Sequence, residues 1–96
     1  MIKEYTLKQH VIKSGLYGPQ ESYEDIDSVD VEISITTVNI VQDGVMYTKE
    51  QTIGLTLFDE LEKNEKYSLW DGKDKCYDVV SFKPGRFTQL VLQEVI

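Results

Sequence analysis

The residue types that perform covalent chemistry are scarce in this sequence. His10 is the single histidine and Cys76 the single cysteine, so a nucleophile paired with a histidine base would have to use these two residues. His10 alternates along a strand-like stretch, and Cys76 stands at the start of an apolar one, which is typical of packed or surface side chains. We therefore predict no catalytic residue, and the chain is not expected to be an enzyme.

Carboxylates are plentiful, but their spacing does not match that of a metal site. All charged residues from Glu21 to Glu32 are acidic, yet the glycine-punctuated spacing of an EF-hand calcium loop is missing. The six glycines are dispersed at turn positions and do not form a phosphate-binding loop. The sequence therefore predicts no metal site and no cofactor.

The overall charge limits the kinds of partner. Seventeen acidic residues against ten basic ones give a formal net charge of −7 in 96 residues, a length that fits one domain over residues 1–96. Nucleic-acid binders usually present a basic face to the phosphates, and binding to an acidic membrane surface is equally disfavoured. A single cysteine forms no internal disulfide, and the opening residues lack the pattern of a signal segment, so a cytosolic origin is expected.

Alternation of apolar and polar residues predicts a mostly β domain. Asp43-Gly44, Asp71-Gly72 and Pro84-Gly85 are typical turns between strands. A change of phase near Thr36-Thr37 predicts a β-bulge, and residues 58–65 are predicted to form one short helix. The expected fold is a small antiparallel β-barrel or sandwich of about six strands with one short helix and a long early loop. The side chains expected in its core include Ile33, Ile35, Leu57, Val79, Val80, Leu90 and Leu92.

The early loop is predicted over residues 14–28. It contains turn formers and a run of acids, and it shows neither a helical nor a strand period. Long loops in so small a domain are usually functional or mobile. Tyr17 and Tyr23 lie where no core demands an aromatic side chain, which favours contact with a partner. The candidate contact residues of this loop are Tyr17, Glu21, Tyr23, Glu24, Asp25 and Asp27.

The segment 69–80 and the residues after it have a distinctive order. A polar turn at Asp71-Gly72 is followed by Tyr77 and the Val79-Val80 pair, and then by the Pro84-Gly85 turn and a final apolar strand. This order resembles the closing hairpin of small head–tail joining proteins of long-tailed bacteriophages, which include head-completion, adaptor and stopper proteins. The chain is also similar to them in length, in its early polar loop and in the short helical turn predicted before the hairpin.

The resemblance implies a viral structural connector. Such proteins form a homo-oligomeric ring below the portal of the filled head, in contact with portal or adaptor protein and with tail proteins. The loop over residues 15–28 would point into the DNA channel and seal or gate it, and its acids would repel passing DNA without binding it specifically. The expected location is the head–tail interface of the virion, after synthesis in the cytoplasm of the bacterial host.

Two alternatives stay open at the level of sequence. The first is a tail terminator or another ring protein of the tail. The second is a cytosolic β-barrel adaptor that binds a host protein or peptide. A connector should form rings or need the portal complex to order its loop, whereas a monomeric adaptor should be fully ordered alone.

Overall fold

The computed structural model describes residues 2–95, which form six β-strands and, within that range, no helix. All paired strands run antiparallel. The prediction of a mostly β domain with about six antiparallel strands is confirmed. The strands are β1 (Ile2–Gly15), β2 (Gly18–Gln42), β3 (Val45–Thr56), β4 (Lys66–Asp71), β5 (Asp74–Lys83) and β6 (Thr88–Glu94).

The strands belong to a single sheet that closes on itself. The hydrogen-bonded order is β1-β2-β3-β6-β5-β4, and β4 pairs back onto β1 through a register that joins Thr6 to Trp70 and His10 to Lys66. Closure satisfies the backbone groups that an open sheet would leave unpaired at its edges. It also creates an interior that only every second side chain of each strand can reach.

The interior of the closed sheet is apolar. Leu90 and Leu92 of β6 are buried, as predicted, and Ile33 and Val79 are partly buried against the same cluster. Burial of these side chains is the main source of stability in a domain of this size. The buried side chains of this interior cluster are Tyr5, Leu7, Val29, Val31, Tyr67, Leu69, Leu90 and Leu92.

Three side chains expected in the core are exposed instead. Ile35 lies where β2 leaves the closed part of the sheet, and Leu57 lies just beyond the end of β3. At Val80 the register between β5 and β6 shifts, and the extra residue is turned outward. Apolar character alone did not reveal where each strand leaves the core.

The prediction of a long loop over residues 14–28 is wrong. β1 and β2 form a hairpin here, and their pairing continues to the residues that flank a two-residue turn, Leu16-Tyr17. The strand pattern is hidden because neither face of this end of the hairpin is buried, so nothing requires apolar and polar residues to alternate. A β-bulge at Ile26 further breaks the period.

The bulge predicted near Thr36-Thr37 is also wrong, because β2 and β3 pair through this point without a register shift. The apolar residues change phase here for another reason. Beyond this point the hairpin of β2 and β3 leaves the closed part of the sheet, and apolar side chains occupy both of its faces.

The short helix predicted over residues 58–65 is absent. These residues form an irregular segment between β3 and β4, in which Leu61 packs against the core. The Glu62 backbone N–H donates a hydrogen bond to the Tyr67 hydroxyl at 2.8 Å, and Asn64 adopts a φ of 72°. Two helical turns are too short to be stable by themselves, so these local contacts determine the backbone.

Two hairpins extend beyond the closed part of the sheet. Arm 1 comprises residues 11–22, where β1 and β2 pair only with each other. Arm 2 comprises residues 36–51, where β2 and β3 pair only with each other. β2 takes part in both arms, which accounts for its length of 25 residues. The arms give the molecule an elongated shape of 51 × 33 × 26 Å.

Candidate interaction surfaces

The turn of arm 1 carries the first of the predicted contact residues. Tyr17 and its neighbour Leu16 form the turn and are 96% and 99% exposed. Gly18 follows with a φ of 106°, which glycine adopts far more readily than other residues. The turn therefore presents an aromatic and an aliphatic side chain to solvent, in a position suited to anchor a partner.

Two of the predicted acids pair with lysines of the neighbouring strand. Glu24 lies 3.2 Å from the Nζ of Lys13, and Asp25 lies 3.4 Å from the Nζ of Lys8. Over residues 8–27, two lysines against four carboxylates leave a formal charge of −2 with histidine neutral. The hairpin is therefore a weaker source of negative potential than the run of acids in the sequence indicates.

The other two predicted acids have different surroundings. Glu21 lies 3.5 Å from the Nε2 atom of His10, a distance that allows an ion pair when the imidazole is protonated. Asp27 accepts a hydrogen bond from the Ser28 backbone N–H at 2.7 Å. Asp27 thus stabilises the local backbone close to the β-bulge.

Tyr23 belongs to an aromatic cluster on the outer face of the sheet, at the base of arm 1. Its ring stacks on His10 and meets Trp70 edge-on, with both ring centres at 5.2 Å. The Nζ of Lys8 lies 4.4 Å from the centre of the Trp70 ring, and the Nζ of Lys75 lies 5.4 Å from the centre of the Tyr23 ring. Tyr23 is therefore held by its own chain and is a less accessible anchor than Tyr17.

Polar contacts complete the aromatic cluster. The Trp70 indole Nε1–H donates a hydrogen bond to the Ser68 hydroxyl at 2.7 Å. Ser68 is buried, so this bond gives its hydroxyl a partner that water cannot supply. Asp78 lies 2.7 Å from the Nζ of Lys75, and its hydrogen bond raises the pKa of that lysine. The hydrogen bond therefore favours the positively charged form of the lysine, which is the form attracted to the face of an aromatic ring.

Arm 2 carries exposed apolar side chains on both faces. On one face the cross-strand pair Val41 and Met46 is 69% and 67% exposed. On the opposite face Ile40 pairs with Tyr47, and Val45 lies beside them, all three exposed. A two-stranded ribbon has no second layer to bury these side chains, so this surface is available to a partner.

The turn of arm 2 has the geometry that its sequence predicts. Asp43 and Gly44 have φ values of 53° and 77°, and positive values at both positions are those of a type I′ turn. This turn fixes the register that places the apolar pairs opposite each other. The turn was predicted from the sequence but the surface was not, although the consecutive apolar residues at 40–41 and 45–47 on either side of the turn indicate it.

An apolar groove lies on the outer surface of the closed part of the sheet, near the C-terminal end of β3. Its volume is about 340 Å³. Its apolar walls come from the first or last residues of strands and from residues next to them, where apolar side chains remain exposed. The lining residues are Ile2, Leu55, Leu57 and Phe87, together with Asp30, Glu32 and Thr56.

The two residues considered for covalent chemistry have other contacts. His10 is part of the aromatic cluster, and the Cys76 thiol lies 3.6 Å from the carbonyl oxygen of Asp74. Within residues 2–95, no group of three or more His, Cys, Asp or Glu side chains is arranged to hold a metal ion.

No protein-family model and no curated protein matches this chain. In the part of the chain that the structure describes, no helix has the length and hydropathy needed to cross a membrane.

Neutralising the four predicted acids should leave the fold intact. We expect the combined variant Glu21→Gln, Glu24→Gln, Asp25→Asn and Asp27→Asn to lose no more than about 2 kcal/mol of unfolding free energy, because exposed ion pairs contribute about 0–1 kcal/mol each. Urea denaturation followed by circular dichroism measures this loss. A chain that no longer unfolds cooperatively would show that these carboxylates organise the hairpin.

Proposed function

We propose that this chain is a structural connector of a bacteriophage particle, a component of the head–tail joining ring below the portal that seals or gates the DNA channel. The observation that carries this proposal is arm 2. This domain of 96 residues has a two-stranded arm with apolar side chains on both faces. Within residues 2–95, no other part of the chain covers these side chains. Such an arm is suited to permanent assembly with other subunits.

The charge of the chain supports the same role. A net charge of −7 disfavours adhesion to DNA, which is an advantage for a subunit that lines a channel through which DNA moves. The duplex would pass without specific binding. The apolar residues of arm 2 would be directed to protein neighbours, where burial of apolar area stabilises the assembly.

Arm 1 is the element that we assign to the channel or to a neighbouring protein. It is a hairpin and not a loop, so it can hold Tyr17 at a defined distance from the closed sheet. Portal or adaptor protein on one side and tail proteins on the other are the partners that this role requires. The site of action is the head–tail interface of the virion.

Deletion of the gene from the phage that encodes this chain tests the proposal. We expect DNA-filled heads without attached tails, or heads that lose their DNA, together with free tails of normal length. Titre should fall by several orders of magnitude and return when the wild-type gene is supplied in trans. Electron microscopy of the lysate gives the particle classes.

The same experiment separates the connector from the alternatives. Free tails of irregular length would indicate a tail terminator. Normal tailed particles with normal titre would contradict both roles and leave a cytosolic adaptor as the better description.

A further inference from the structure

We infer that the tip of arm 2 of one copy docks into the apolar groove of a second copy of this chain, so that copies associate head to tail. This inference deepens the proposed function, because it names the neighbour that covers arm 2. The docking surfaces are the side chains at 40–41 and 45–47 on the arm, and Ile2, Leu55, Leu57 and Phe87 in the groove.

Arm 2 requires an occupant for its apolar surface. A hairpin of two strands is marginally stable in water unless a further strand or layer packs on it. Residues 36–51 lie beyond the strands that flank β2 and β3 elsewhere. Val41 and Met46 on one face and Tyr47 on the other are nevertheless exposed, so contact with another molecule would bury them.

Arm 2 is a surface through which two copies can approach with little electrostatic repulsion. Two chains of net charge −7 repel each other, and they repel least where the contact surface carries few charges. Arm 2 contains only three charged residues, Asp43, Lys49 and Glu50, with a net charge of −1. Cores of protein interfaces show the same depletion of charge.

The groove matches the arm in chemistry. It offers an apolar volume of about 340 Å³, and two carboxylates, Asp30 and Glu32, are part of its lining. Lys49 shares a face of arm 2 with Tyr47 and lies about 7 Å behind it along β3. Lys49 is the one positive charge of arm 2, so with the tip in the groove of a second copy it is the group of the arm that the two carboxylates would attract.

The tip of the arm and the groove of one copy cannot meet. Residues 36–42 extend over about 20 Å from the base of the arm to its turn, and the groove lies beyond that base, next to Glu32 and Leu55. The tip therefore reaches the groove of a different copy. Two different surfaces on each chain make a head-to-tail contact, which closes into a ring when the rotation between copies permits.

Complementary variants test this arrangement by sedimentation velocity over a wide range of concentration. Met46→Asp disables the tip, and Leu57→Asp disables the groove, both at exposed positions. We expect the wild-type chain to sediment above its monomer mass of 11.1 kDa at high concentration. Each variant alone should associate at least about tenfold more weakly. An equimolar mixture of the two should form a dimer and nothing larger, because one intact tip and one intact groove remain in each pair.

Leu16→Asp is the matched control, since it places the same charge at the equally exposed tip of arm 1. This variant should associate like the wild-type chain. Circular dichroism of every variant establishes that it is folded before its mass is interpreted. A monomeric wild-type chain, an undiminished mass for Met46→Asp, or a mixture that stays monomeric would each overturn the inference.

The inference and the proposed function can fail separately. Sedimentation uses the isolated chain and does not depend on the particle in which it acts. A head-to-tail dimer in the mixture together with a gene deletion that leaves particles normal would retain the contact and reject the connector role. The reverse combination would retain the role and assign arm 2 to a different neighbour.

Discussion

Leu90→Ala is expected to lower the free energy of unfolding by about 2–4 kcal/mol, as for other leucines removed from a packed core. Leu90 is 1% exposed in β6 and belongs to the central apolar cluster. Its removal leaves a cavity in a closed sheet whose strands are tied to neighbours on both sides, so the surroundings can collapse only partly. Urea denaturation of the two chains, with equal m-values, gives the difference.

Leu57→Ala is the control for this measurement. The same chemical change is made at a side chain that is 74% exposed, and we expect a loss within about 0.5 kcal/mol. A loss below about 1 kcal/mol for Leu90→Ala would place β6 at the periphery of the core. Equal losses for the two variants would contradict the assignment of the interior.

Gly54→Ala is expected to cost about 1–3 kcal/mol through overpacking. A Cβ atom at this position would lie 2.8 Å from the Cγ1 of Val31 and 3.0 Å from the Cδ1 of Leu92. Both neighbours are buried, and Val31 is completely enclosed, so neither can move aside easily. Thermal and urea denaturation measure the cost.

Gly15→Ala provides the comparison for the glycine substitution. There the nearest atoms, at 3.2 Å, belong to the side chain of Gln20, which is exposed and can rotate away. We expect a change within about 0.5 kcal/mol. If Gly54→Ala were as well tolerated as Gly15→Ala, β3 would not approach β2 and β6 as closely as the structure describes.

Strands with one buried face could be predicted from the sequence. β6 alternates Leu90 and Leu92 toward the interior, and the Asp43-Gly44 turn requires positive φ at both residues, which few other pairs of residues tolerate. In these places local sequence and tertiary packing require the same structure. The closure of β1 against β4 has no local pattern, because it joins segments far apart in the chain.

The arms could not be predicted as such, because their conformation does not depend on burial of one face. Residues 14–28 show no alternation, so the sequence indicated a loop where β1 and β2 continue to pair. The ion pairs of Lys8 and Lys13 with acids of β2 became evident only when the register was known. Arm 2 was concealed for the opposite reason, since apolar residues on both faces resemble a strand in the interior of a protein.

The position of this chain in the particle tests the connector role most directly. Antibodies raised against the isolated chain and coupled to gold can be applied to filled heads and to intact particles, with particles from the deletion phage as the control. The connector role predicts labelling on filled heads that lack tails, at the single vertex where head and tail meet, and none on deletion particles. Labelling along the tail or at its far end, or particles that carry none of this protein, would contradict it.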